Sequence, residues 1–181
     1  MNPEGFREYV RTCKAAGKSP NVKIARFASR YKMARQIKGI TLDGYSQTTS
    51  EIYATSLRIS LGFSALECLE SLMKPTPLSI KSEALAEKLR ADQFSKLKRF
   101  LIQESDTSLK NQLQNAFNSK RNIDLLPAIR AIRHVTFHGQ FTPTGAGLTT
   151  KGALIFLCQI EELLFLEINK LSATYFESLG Q

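Results

Sequence analysis

Apolar residues recur at helical spacing along almost the whole of this 181-residue chain, and few β-branched residues alternate with polar ones. A return every ~3.6 residues marks a helix that buries one face, whereas a half-buried strand alternates every second residue. That regularity constrains the fold more than composition does. It predicts an all-α protein, a helical bundle of five to seven helices. The length suits one domain. A chain of this size buries about 70% of its unfolded surface, enough to hold a core without a disulfide or a metal. No internal repeat or low-complexity tract interrupts the pattern.

Stop and start signals divide the chain. Glu4 to Ala16 reads as a first helix, ended by Gly17 and Ser19-Pro20. A second runs from Val22 to Ile37, with Ile24, Phe27, Tyr31 and Ala34 in one apolar stripe and Gly39 closing it. "TLDGYSQ" is a turn. Thr48 to Glu51 has the form of a capping box, in which the Thr48 hydroxyl and the Glu51 carboxylate satisfy free backbone donors. The long helix behind it reaches about Met73, where Pro75 and Pro77 stop it. Its stripe is Ala54, Leu61, Ala65, Leu69 and Leu72, with Arg58 inside. Lys81 to Gln103 reads as one amphipathic helix. Asp106 caps a short helix carrying Leu109, Leu113 and Phe117, and Asp124 caps the next, with Pro127 in its tolerant first turn. "GQFTPTGAG" is a loop, after which Thr149 or Thr150 starts a strongly apolar last helix to about Leu171.

Cys13, Cys68 and Cys158 are odd in number and far apart. That argues for free thiols in a reducing compartment, Cys68 and Cys158 serving as small core residues. The first residues lack a signal-peptide core. The most apolar run, "ALIFLCQIEELLFLEI", is interrupted by Gln159, Glu161 and Glu162 and falls short of the ~18 apolar residues of a membrane span. The expectation is a soluble cytoplasmic protein with no membrane partner.

The net charge of +9 is unevenly spread. Tyr9 to Leu42 contains nine basic residues, among them Lys23, Arg26 and Arg30, and no acidic one; elsewhere sixteen basic residues face sixteen acidic ones. Localised positive charge attracts polyanions, because neutralised phosphates release counterions. A solvated basic face explains the same charge. A helix-turn-helix over residues 3–38, with Val22–Ile37 reading DNA, is a further possibility. So is a basic helical segment that packs on the bundle or helps hold RNA.

"RAIRHVTFHG", residues 130–139, contains both histidines of the chain. At ~100° per residue, Leu125, Ile129, Ile132 and Thr136 share one mostly apolar face. Arg130, Arg133, His134, Phe137 and His138 share the opposite one, with Arg130, His134 and His138 in line. Gly139 suits a left-handed helix stop, and the helix dipole there favours an imidazolium. Imidazole titrates near pH ~6.5, so such a group can give or accept a proton at neutral pH.

Arg133, His134 and His138 resemble the signature of the HEPN domains (higher eukaryote and prokaryote nucleotide-binding), an all-α family. Its motif is Arg, a polar residue, three residues, then His at a helix end. The lead-in "LLPAIRAIRHVTFHGQFTP" extends the likeness, which covers residues 46–171. Histidine stands second here, where asparagine is more usual. The resemblance implies residues 46–181 as a HEPN-like bundle behind a basic helical segment, 1–45. It implies a homodimeric, metal-independent endoribonuclease, a hydrolase of toxin-antitoxin type, using no cofactor. RNA is the expected partner, with an antitoxin or other regulatory protein possible. His138 would act as general acid and base, Arg133 would hold the phosphate, and His134 would orient His138 or touch phosphate. Phe137 would stack a base or pack a dimer seam, and Arg130 would extend the phosphate track. Lys23, Arg26 and Arg30 lie outside the likeness and are candidate nucleic-acid-binding residues of the basic segment. Arg58 either points to the same cleft or snorkels.

Other readings remain open. Two histidines at i, i+4 suit zinc only with a third ligand, and none lies near in sequence. A second alternative pairs the arginines and histidines with acidic neighbours across the bundle. A HEPN fold can also serve as a non-catalytic nucleic-acid or nucleotide-binding module. No Gly-x-x-x-x-Gly-Lys loop, nucleophile elbow or dinucleotide fingerprint is present.

Overall fold

The computed structural model describes residues 3, 5–73, 78–119 and 123–179. Among these the protein is all-α, with nine α-helices, one 3-10 turn and no strand beyond an isolated bridge between Lys81 and Asp124. The helices are α1 (Phe6–Ala15), α2 (Val22–Gln36), α3 (Gln47–Glu70), α4 (Glu83–Arg90), α5 (Ser95–Gln103), α6 (Thr107–Asn118), α7 (Leu126–Phe137), α8 (Pro143–Ala146) and α9 (Lys151–Leu179).

Two local events raise the count above the expected five to seven. The stretch read as one helix from Lys81 to Gln103 breaks at Ala91, whose ψ of 146° leaves the helical region, and a 3-10 turn spans Asp92–Phe94. The apolar spacing explains the break. Leu89 and Phe94 are five apart, too far for one helix face, and the turn carries Phe94 onto Phe156 at 4.3 Å between ring centroids. The "GQFTPTGAG" loop holds α8, capped by Thr142 and closed by Gly147 at φ 71°.

Helix α3 is the axis of the core. It packs against α2, α7 and α9, and it is buried on most sides rather than along the expected stripe. Ile52, Ile59, Phe63, Leu66 and Leu69 are inside, while Leu61 and Leu72 are only half-buried. Small polar residues fill its tight contacts: the Ser60 hydroxyl donates to the Ser56 carbonyl and the Thr55 hydroxyl to the Glu51 carbonyl. Its cap is Ser46, whose Oγ accepts from the Thr49 N–H, and not Thr48; the Glu51 carboxylate instead accepts from the Gln47 side chain. The helix ends at Glu70, ahead of Pro75 and Pro77, which lie outside the described residues.

Helix α2 buries Ile24, Phe27, Ala28, Tyr31 and Ala34 in the same core. It ends at Gln36 with Ile37 extended, so Gly39 does not close it. Helix α1 buries no residue and rests on α9 through Phe6 and Tyr9 against Phe176, while the Tyr9 hydroxyl accepts from the Asn21 N–H. Helix α9 starts behind Thr150, whose hydroxyl accepts from the Ala153 N–H, and runs eight residues beyond Leu171. No helix among the described residues is long and apolar enough to cross a membrane.

Candidate functional site

Helix α7 carries both histidines, and its ends are fixed by its own sequence. One oxygen of the Asp124 carboxylate accepts from the Leu126 N–H and from the Ile80 N–H, both at 3.0 Å. The Leu125 N–H donates to the Ile80 carbonyl. Pro127 sits in the first turn, where no intrahelical donor is lost. Leu126, Ile129, Ile132 and Val135 are buried and lock the helix onto α3. At the far end Gly139 takes φ 70°, the Gln140 N–H donates to Val135 and the Gly139 N–H to Thr136. That pairing is a Schellman stop, and it makes His138 the C-cap.

The solvent side of this helix divides into two groups. His134 is half-buried and His138 exposed, with ring centroids 4.4 Å apart and planes tilted by 46°. The arginines face α3 and α6. Helical side chains incline toward the N-terminal end of their own helix, and for α7 that direction leads to the C-terminal part of α3. There the Arg133 guanidinium meets Glu67 at 3.5 Å and lies over the Phe137 ring at 5.6 Å. Its Nε is buried without a hydrogen-bond partner. Arg130 lies over Phe63 and donates to Gln112 of α6. Burial pushes the Glu70 carboxyl above its ordinary range; the Arg130 charge opposes this and Glu67 reinforces it.

The other candidate residues divide as well. Lys23 and Arg26 project from α2 into solvent. Arg30 is tied back onto α3 through the Ser64 carbonyl at 3.2 Å and Cys68 Sγ at 2.8 Å. Arg58 reaches no cleft and does not snorkel. It pairs with Glu161 of α9 at 2.8 Å and donates to Thr55, with side chains only 16% and 12% exposed. Cys68 and Cys158 are half-buried at the margin of the core rather than within it. Phe137 is 47% exposed on the motif face. Among the described residues no three His, Cys, Asp or Glu side chains gather as a metal site requires.

Sequence reasoning missed Glu67, Glu70 and Gln112, the groups that the two motif arginines meet. Their signal was faint: two glutamates three apart on one edge of α3, with no means of telling which helix lies opposite. Searches against family models, curated proteins and solved structures returned no match to this chain.

Proposed function

We propose that this chain is a metal-independent endoribonuclease of HEPN type that works as a homodimer, its two motifs lining one cleft. One observation carries the reading. Two neighbouring imidazoles, one of them exposed, stand at the capped end of a helix whose preceding turn holds an incompletely satisfied arginine.

The chemistry follows from those side chains. RNA brings its own nucleophile. Neutral His138 takes the 2′-hydroxyl proton as O2′ bonds to phosphorus. Arg133 holds the non-bridging oxygens through its planar fork as charge accumulates on them. The imidazolium returns a proton to the departing 5′-oxygen, leaving a 2′,3′-cyclic phosphate and a 5′-hydroxyl. His134, one turn back and against His138, fixes the ring that moves the proton. Arg133 has only to exchange a 3.5 Å carboxylate contact for a phosphate.

The test is cleavage of total RNA in EDTA. His138→Ala is expected to lose roughly 10²–10⁴-fold in rate. Arg133→Lys is expected to lose rate as well, since an ammonium lacks the fork. Equal cleavage by His138→Ala, or none by the wild type at any dose, overturns the proposal. The exposure of Lys23 and Arg26 in an acid-free segment favours a second reading, a nucleic-acid-binding module without cleavage. That reading requires salt-sensitive retention of RNA or DNA, lost when Lys23 and Arg26 are reversed to glutamate.

A further inference from the structure

We infer that His134 and His138 together chelate one borderline divalent cation, of the class of Zn²⁺, Ni²⁺ or Cu²⁺, and that an occupied pair shuts off the proposed acid–base chemistry. The second half rests on the ribonuclease reading; the chelate rests on geometry alone.

The His138 N–H donates to the His134 carbonyl at 3.0 Å, so the two residues stand one helical turn apart on one face. Their ring centroids are 4.4 Å apart, with planes tilted by 46°. Zinc–imidazole bonds of about 2.0–2.1 Å at a tetrahedral angle need two nitrogens about 3.3 Å apart. A turn about each Cβ–Cγ bond moves the nitrogens and leaves the centroids nearly in place. The present spacing therefore reaches that value without moving the backbone. The backbone is already set, by the buried Val135 between the two residues and the left-handed Gly139 behind them. Little ordering cost falls on binding.

Among the described residues no carboxylate, carbonyl or hydroxyl is bonded to either imidazole. Their nitrogens are open to a ligand, and His138 is exposed. Arg133, next to His134 in sequence, is drawn to Glu67 at 3.5 Å, which lessens its repulsion of a second cation.

Donor chemistry selects the ion. Imidazole suits zinc, nickel and copper, whereas magnesium and calcium call for oxygen ligands. Among the described residues no third His, Cys, Asp or Glu joins the pair, so water completes the shell. Two protein ligands fall short of a structural site, and the ion is exchangeable. That suits a switch. A coordinated nitrogen has no lone pair left to accept the 2′-hydroxyl proton.

The experiment uses the untagged full chain at pH 8, with Ni²⁺ alone as the probe. The chain has only two histidines, so its imidazole protons give two sets of NMR signals. Both sets should broaden together as Ni²⁺ is added, and neither with Mg²⁺. His134→Ala, and His138→Asn at the exposed cap, should each weaken Ni²⁺ binding at least about tenfold, since even outer-shell partners are worth that. The remaining imidazole signal reports that affinity and ignores ions held by thiols. Broadening of one set alone, an equal response to Mg²⁺, or unchanged affinity in either folded variant overturns the chelate. RNA cleavage by the wild type should slow as the pair fills and recover in EDTA. Cleavage at full rate with both sets broadened overturns the switch. A protein that broadens both sets yet never cleaves RNA sinks the ribonuclease reading and leaves the chelate. Cleavage with both sets unmoved by Ni²⁺ does the reverse.

Discussion

Arg58 illustrates how the role of one side chain depends on a helix a hundred residues away. Its pair with Glu161 is largely removed from water. Taking one charge from such a pair leaves the other buried and unmatched, at a cost of about 3–5 kcal/mol. Arg58→Ala is therefore expected to lower the urea midpoint sharply. Arg58→Leu combined with Glu161→Leu should restore most of it, since two apolar side chains leave nothing unpaired. Cys158 is a second case. Burial raises its thiol, an effect larger than the opposing hydrogen bond from Thr55. Slow alkylation at neutral pH is expected, speeding up on unfolding. Glu70 gives a pH dependence. Its raised folded value means that the native chain keeps a proton which the unfolded chain has already lost. This residue favours folding below the ordinary glutamate range and disfavours it as pH rises through the raised value. Glu70→Gln should stabilise the protein at pH 7, with the gain shrinking toward pH 4 in paired urea titrations. The sequence could not reveal these roles, because each depends on the neighbour that tertiary packing supplies.

At the scale of the element, local chemistry was readable and tertiary chemistry was not. Asp106, Pro127 and Gly139 act within their own turns, and the structure places each as its neighbours in sequence require. The start of α3 was misplaced because Ser46 and Thr48 offer equivalent hydroxyls two residues apart, and only the chosen helix register decides between them. The break between α4 and α5 lay in the five-residue step from Leu89 to Phe94. The arginine and histidine content of α7 was plain, but the groups that its arginines meet were not, since they depend on which helices lie beside it. Gly139 supplies the test at this scale. A Cβ there meets no neighbouring atom, so Gly139→Ala pays only for its left-handed backbone, about 1–2 kcal/mol. Asparagine, more tolerant of that region, should lose less, as read from the two melting temperatures.

For the whole molecule, the charge asymmetry and the core occupy one segment. The window that holds the formal excess of +9 also supplies α2, whose Phe27 and Ala34 are wholly buried against the rest. Removing residues 1–45 is expected to abolish the cooperative unfolding transition rather than to leave a stable remainder, which circular dichroism on heating would reveal. The close approach of α3 and α9 sets a second limit. A Cβ on Gly62 would stand 3.0 Å from the Phe165 ring, which Tyr31 and Arg35 hold in place. Gly62→Ala thus trades a helix-propensity gain of about 1 kcal/mol against overpacking of about 1–3 kcal/mol, and a net loss is expected in urea.

The double grip of Asp124 on Ile80 and Leu126 has a mechanical consequence. Helix α7, about 18 Å long, behaves as a beam clamped at one end to a chain segment more than forty residues away and stopped at the other by Gly139. Such a beam resists swinging about either end, and the amides from Ile129 to Val135 should be among the slowest in the protein to exchange with deuterium.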